Sequence, residues 1–308
     1  MKYKLLMIIG VLLLLTACPR PTAVRREVVD FRTGIQSLEI DFAEQGPPDQ
    51  VFEGEDVPIL LFVANRGASD IFDGVFTIDV DPTVLELRAE RLNFFDLPGK
   101  SQFNPIGEER IISINTNART LPPRTETVTT TIRVTACYPY RTAATETLCI
   151  DTDILGRATN KPCQVQDASL GSQGAPVTVN RIEPRMLQHM DETKINVEFL
   201  IHMSNRGAGQ LFPADKAVEA CTAGAVGELN KAKVNVFLAD QQLDCVPKAK
   251  DSAGPEAEVN LAMETFVKCS VPDGISKRLG TYLSPLTIEV DYGYSFTVSK
   301  NVEIRTLQ

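Results

Sequence analysis

The chain has 308 residues, 31 basic and 40 acidic side chains, 43% hydrophobic content and 6% aromatics. That is the composition of an ordinary globular chain, long enough for two domains with separate cores. An acidic balance without a Lys/Arg cluster excludes a phosphate-backbone partner such as nucleic acid. In chain order, Lys2 and Lys4 form a basic start, and "LLMIIGVLLLL" from Leu5 to Leu15 follows as an uncharged apolar stretch. It reads as an export signal, because a membrane-crossing helix needs roughly 20 apolar residues and this run offers only about 14.

Leu15-Thr16-Ala17-Cys18 resembles the lipobox of prokaryotic lipoproteins, an aliphatic residue and two small ones before a cysteine. The resemblance implies that residues 1–17 are a signal peptide and that Cys18 carries diacylglycerol as the first residue of the mature chain. Acyl chains hold a protein by burying methylenes, and two or more hold it firmly. Removing residues 1–17 leaves 29 basic against 40 acidic residues, a net charge of −11. Residues 18–33 read as a polar tether.

Beyond the tether the pattern is strand-like. "VPILLFVA" (Val57 to Ala64), "VFTIDVD" (Val75 to Asp81), "ERIISINT" (Glu109 to Thr116) and "TETVTTTIRVTA" (Thr125 to Ala136) are separated by Pro, Gly, Asn and Asp. "KINVEFLIHMS" (Lys194 to Ser204), "AKVNVFLA" (Ala232 to Ala239) and "EVNLAMETFVKCSV" (Glu258 to Val271) continue the pattern. Short alternating runs between turn residues indicate an antiparallel sandwich. "PADKAVEACTAGAVGELN" (Pro213 to Asn230) is assigned one short helical turn or a loop.

Two of these strands end alike. "LFVANRGASDIF" (residues 61–72) recurs 140 positions later as "IHMSNRGAGQLF" (residues 201–212), and Tyr138 and Tyr140 recur at an offset of 154 as Tyr292 and Tyr294. Asn65, Gly67, Asn205 and Gly207 are read as structural turn residues, since Asn and Gly accept positive φ at least cost. A tandem duplication follows, and the fold class expected is all-β: two tandem immunoglobulin-like antiparallel β-sandwiches after an N-terminal signal or anchor helix. The first occupies residues 34–155 and the second 176–308. Residues 156–175, rich in Gly, Ser, Asn and Pro, form a linker.

The strand-Asn-x-Gly signature with a late Tyr-x-Tyr strand resembles the CARDB-type and related Ig-like modules of archaeal and bacterial surface proteins. The stretch from "CYPYRTAATETLCID" through "CQVQDASLGSQGAPVTV" is similar to a group of membrane-anchored archaeal surface proteins. Both resemblances imply an extracellular structural or binding role, and neither implies catalytic residues.

Cys137, Cys149, Cys163, Cys221, Cys245 and Cys269 remain outside the lipobox. An even number in an exported chain suggests three disulfides, and six cysteines permit 15 pairings. A hairpin turning near Thr142 to Ala144 would pair Cys137 with Cys149; Cys245 would then join Cys269, and Cys163 would join Cys221. The alternative closes Cys149 on Cys163 and sends Cys137 elsewhere.

No metal site or cofactor is expected. Spacing excludes zinc, with no CxxC and no HExxH-like arrangement of His189 and His202. The carboxylates of "DIFDG" (Asp70 to Gly74), "IDVDP" (Asp79, Asp81) and "CIDTD" (Asp151, Asp153) suit calcium in kind, but Asp is more commonly a turn residue. No catalytic motif is present, His202 sits in a strand, and Glu108-Glu109 reads as solvated charge, so an enzyme is not expected. The paired tyrosines lie on one strand face, and their duplication favours a core role over a ligand platform.

The function expected is that of a non-catalytic protein, lipid-anchored on the outer face of the cytoplasmic membrane or cell surface. Its two Ig-like modules would support the envelope or bind an extracellular protein or polymer. The second expectation is an accessory subunit recruiting a ligand or partner for an envelope transporter or enzyme complex. A charge-free open strand edge would point to strand-adding partners, and a deep polar pocket to a ligand.

Overall fold

A computed structural model describes residues 30–223, 229–250 and 252–307. The signal, Cys18 and most of the tether lie outside the described residues. The described residues are mostly strand, as the alternating patterns require. The first copy runs through β1 (Leu38–Phe42), β2 (Gln50–Phe52), β3 (Asp56–Asn65), β4 (Ile71–Asp79), β5 (Leu85–Leu87), β6 (Leu92–Leu97), β7 (Glu109–Ala118) and β8 (Thr127–Asp151). The second begins with β9 (Ala168–Ser169), β10 (Val177–Gln188), β11 (Lys194–Asn205) and β12 (Gln210–Phe212). After a short helix α1 (Ala217–Ala223) come β13 (Lys231–Leu238), β14 (Gln241–Gln242), β15 (Asp244–Val246), β16 (Ala257–Asn260), β17 (Thr265–Ser270), β18 (Ile275–Ser276) and β19 (Thr281–Arg305). The run from Glu258 to Val271, read as one strand, is two, with a turn at Ala262–Glu264 between β16 and β17.

The duplication is visible in the topology. The first copy has a sheet of order β1-β3-β7-β5, and the second copy repeats that order as β10-β11-β17-β15. Both face a nine-stranded sheet whose main path is β14-β13-β19-β8-β4-β6, with β12 and β2 also paired to β19 and β16 to β13. At its centre β8 and β19, each of 25 residues, pair antiparallel from Asp151 against Thr281 to Thr127 against Arg305. The register is centred on Pro139 opposite Gly293, two positions that are themselves equivalent by the 154-residue offset. The pairing therefore maps onto itself under the repeat, as a local two-fold axis demands.

This geometry makes each copy complete the other. The first half of β8 carries β4 on its free side, while the first half of β19 carries β13. The second half of each strand runs on into the other copy and lies there beside its counterpart. Where the sequence punctuation suggests two bodies with separate cores, one continuous cluster of buried apolar side chains extends from Leu38 to Ile304 and includes residues of both copies. Alternation explains how a single long strand serves both: even-numbered side chains of β8, from Thr130 and Ile132 through Tyr138 to Ile150, are buried along almost its whole length.

The change of offset from 140 to 154 also has a structural cause. β12 and β13 together occupy on β19 the place that β4 occupies on β8, and residues 213–230 are inserted between them. That insertion contains α1, which lies on the outer face of the central sheet over Val75, Cys137 and Phe212.

Two expectations on the cysteines are overturned. β8 continues unbroken through Thr142–Ala144, so there is no hairpin there, and residues 12 apart on one strand stand about 40 Å from each other. Cys137 instead reaches Cys221 on α1, with Cα atoms 5.7 Å apart. Cys149 closes on Cys163 at 5.8 Å, the alternative pairing, so Cys163 does not join Cys221. Cys245 and Cys269 face each other on β15 and β17 and are bonded, as expected of two strands of the second copy. Three disulfides belong to an oxidising compartment and mark the chain as exported. Among the described residues no helix is long and apolar enough to cross a membrane.

Candidate groove and strand edge at the junction of the two copies

The repeated turn builds the junction. Asn65 ends β3 with its side chain fully buried. Its Nδ2 donates to the carbonyls of Ser69 (2.8 Å) and Leu97 (2.9 Å), and its Oδ1 accepts from the Gly67 N–H (3.1 Å) and the Tyr140 hydroxyl (3.4 Å). Asn205 repeats the scheme more loosely, donating to Gly209 O at 3.2 Å and accepting from Gly207 N–H at 3.1 Å and Tyr294 hydroxyl at 3.5 Å. The reason for glycine differs from the expectation. Neither Gly67 nor Gly207 has positive φ; a Cβ at Gly67 would overlap the Tyr140 hydroxyl oxygen, and one at Gly207 that of Tyr294. Close approach, not backbone conformation, demands the missing side chain.

The four tyrosines form a ring about the two-fold axis. Centroids are 5.8 Å apart for Tyr138–Tyr140, 6.1 Å for Tyr138–Tyr294, and 6.2 Å for both Tyr140–Tyr292 and Tyr292–Tyr294. Each hydroxyl has a partner: Tyr138 with Ser37 Oγ at 2.7 Å, Tyr292 with Thr142 Oγ1 at 3.0 Å, and Tyr140 and Tyr294 with the turns. Burial pushes all four phenols above their ordinary pKa, against the opposing pull of these hydrogen bonds. The tyrosines are thus core residues with satisfied hydroxyls and not a ligand platform.

Beside this ring lies a groove of about 860 Å³. One wall is residues 35–41, leading into and along β1; the other is the Arg206–Gly209 turn with Tyr294 and Phe296 of β19. Both repeat arginines reach its rim, yet they differ. Arg66 is saturated by Glu39 (3.2 Å), Glu109 (2.8 Å) and the Ile106 carbonyl (3.0 Å), and its guanidinium lies 5.8 Å from the Phe62 ring centre. The β10–β11 register puts Thr178 where the first copy has Glu39, so the exposed Arg206 has no acidic partner among the described residues. Lys100 donates to Thr33 O at 2.7 Å; burial lowers its pKa, against the field of Asp30.

The groove continues into an open strand edge. On the side of β19 away from β8, β13 pairs with Leu286–Asp291, β12 with Gly293–Ser295 and β2 with Glu303–Arg305. Positions 296–302 between them have no backbone partner on that side among the described residues. The equivalent stretch of β8, 142–148, is flanked by the chain's own residues 163–173, clamped there by Cys149–Cys163. Sequence reasoning assigned no role to this edge; the signal for it is only the length of the apolar alternation from Tyr282 to Ile304.

The acidic pairs are structural. Asp81 caps Thr83, Asp79 pairs with Arg133 at 3.4 Å, and Asp70 accepts from Gly99 N–H at 2.8 Å. Asp151 and Asp153 flank Lys161 at 2.6 and 3.4 Å. Burial opposes ionisation of Asp151, but hydrogen bonds from Lys161 and Thr281 prevail and hold its carboxyl below the ordinary range. Among the described residues no three His, Cys, Asp or Glu side chains converge as metal ligands would. His202 Nε2 is 2.9 Å from Glu183, and His189 Nδ1 accepts from Asp191 N–H at 2.9 Å. Glu108 pairs with Arg110 and Glu109 with Arg66, both at the surface.

No protein-family pattern and no curated protein matches this chain. Among solved structures it is similar to the secreted serine protease VesC from Vibrio cholerae at 10% identity, over 89% of this chain and 52% of that one, with a TM-score of 0.22. The chain spans about half the length of that structure, and a likeness this slight carries no argument about fold or activity.

Proposed function

We propose that this is a non-catalytic surface protein, anchored by lipid on Cys18, that holds two interlocked Ig-like modules outside the cell to bind another protein or a polymer. The observation that carries the reading is the open groove and strand edge where the two copies meet. It lies on a body stiffened by 25 residues of continuous pairing and three disulfides. The Ig-like reading is supported by the four-strand order β1-β3-β7-β5 set against β4 and β8, with β19 beside β8 and β2 running parallel to it. The anchor is supported by the lipobox resemblance, and the three disulfides support export to an oxidising compartment. Both histidines are engaged in structural contacts, which supports a binding role over an enzymatic one.

The test has two arms. The wild-type chain should partition with membranes as a mature form, while Cys18→Ser should yield an unprocessed or soluble one. A photo-crosslinker at Ala208 on the groove rim, in intact cells, should give one dominant adduct that Arg206→Glu abolishes. An unchanged membrane-bound mature mass for Cys18→Ser would overturn the anchor. Adducts insensitive to Arg206→Glu would overturn the groove.

A further inference from the structure

We infer that positions 296–302 of β19 are a strand acceptor, and that the partner is a free extended polypeptide segment of about seven residues with apolar and polar side chains alternating. This deepens the binding role proposed above and rests on it. The backbone parity is set by neighbouring bonds. Thr152 N–H donates to Gly280 O (3.2 Å), so even positions of β19 exchange hydrogen bonds with β8. Glu303 N–H donates to Asp49 O (2.9 Å) and Ala239 N–H to Pro285 O (2.8 Å), so odd positions face the other way. In an antiparallel ladder that alternation persists. Thr297, Ser299 and Asn301 therefore turn three N–H and three C=O groups outward, and all three residues are exposed. Donors and acceptors repeating along one line at the strand period are complementary to the backbone of another strand, whereas a helix has no backbone groups to offer them.

The neighbours select the kind of strand. The open stretch lies between β12, paired up to Ser295, and β2, paired from Glu303, so it is recessed in the sheet, about 23 Å long at 3.3 Å per residue. Two copies of this chain cannot bring two such recessed edges together, because β12 and β2 of each would collide first; a single extended segment fits. Side chains of an added strand would lie on one face beside Phe296, Val298 and the Asp49-paired Lys300, all half-buried, and on the other beside Thr297, Ser299 and Asn301. That pairing of faces asks for alternate apolar and polar residues. Thr297, Ser299 and Asn301 carry no charge, and the one charged side chain of the stretch, Lys300, is engaged by Asp49 at 3.1 Å, so its charge does not stand unpaired against an added strand. The equivalent stretch of β8, 142–148, is flanked by residues 163–173, which the Cys149–Cys163 disulfide tethers beside it.

The probe is the peptide Thr-Val-Thr-Val-Thr-Val-Thr with lysine tails and a fluorophore, added to the mature Cys18→Ser chain. Hydrogen exchange should show the amides of Thr297, Ser299 and Asn301 exchanging freely in the free protein and at least tenfold slower with peptide. The same peptide N-methylated at alternate residues should bind at least tenfold more weakly, which tests the ladder without altering the protein. Ser299→Pro, which removes one outward N–H at a position where an edge tolerates proline, should weaken binding similarly and leave the circular dichroism unchanged. Free exchange with no peptide binding would overturn strand docking and leave the groove reading standing. Protection already present in the free monomer would mean that the chain covers its own edge, and protection rising with protein concentration would mean that a second copy does; either overturns the inference.

Discussion

Asn65 and Asn205 occupy the same place in the two copies but should differ in what they contribute. Asn65 is fully buried and makes four hydrogen bonds, two of them from Nδ2 at 2.8 and 2.9 Å. Asn205 is half-buried and makes three, at 3.1 to 3.5 Å. At about 1 kcal/mol net per bond, and with the Leu97 carbonyl and the Tyr140 hydroxyl left short of a partner, Asn65→Ala should cost about 3–4 kcal/mol. Asn205→Ala, whose longer bonds can be replaced by water, should cost about 1.5–2 kcal/mol. Urea denaturation of the mature Cys18→Ser chain reads both as shifts of the midpoint at constant slope. Because the cores are continuous, each variant should still unfold in one transition. Equal losses for the two, or a loss below about 1.5 kcal/mol at Asn65, would refute the claim that the buried asparagine fastens β3 to β8.

The tyrosine ring predicts an alkaline limit. All four phenols have raised pKa values in the folded chain, so the stability they confer is complete below the unfolded value of about pH 10 and is lost progressively as pH rises from there through the higher folded values. The loss should approach 1.4 kcal/mol per tyrosine per pH unit; a spectrophotometric titration showing these phenols ionising near pH 10 without unfolding would contradict it. Removing Cys137–Cys221, which spans 84 residues, should cost roughly 4–5 kcal/mol in the chain-entropy account, against about 3 for the 14-residue Cys149–Cys163. Paired alanine substitutions with denaturation measure the difference, and non-reducing peptide mapping checks the pairing itself. Residues 30–155 made alone should self-associate, since the second half of β8 lacks its neighbour and can pair with another β8 about Pro139 with even positions still facing inward. Light scattering that finds a stable monomer would disprove that.

Local chemistry made much of this legible. Periodicity placed β3, β7, β11 and β13 within a residue or two, because a strand with one buried face must alternate. The repeated Asn-Arg-Gly turns and Tyr-x-Tyr pairs exposed the duplication, since the same buried hydrogen bonds require the same residue types in both copies. Export was legible from the cysteines, though not their pairing, which depends on which strands become neighbours.

The tertiary structure decided the rest. Composition marks where a strand starts and stops but not which strand lies beside it, so nothing local to Thr142–Ala144 distinguishes a hairpin from the middle of a 25-residue strand. That distinction follows from β19 offering a full-length partner 142 positions away, at Thr287 against Thr145. The fused core and the open edge at 296–302 follow from that one long pairing, whose free energy is shared among residues too distant in sequence to mark one another. The insertion carrying α1 brings Cys221 to Cys137, and the β10–β11 register leaves Arg206 without an acidic partner among the described residues.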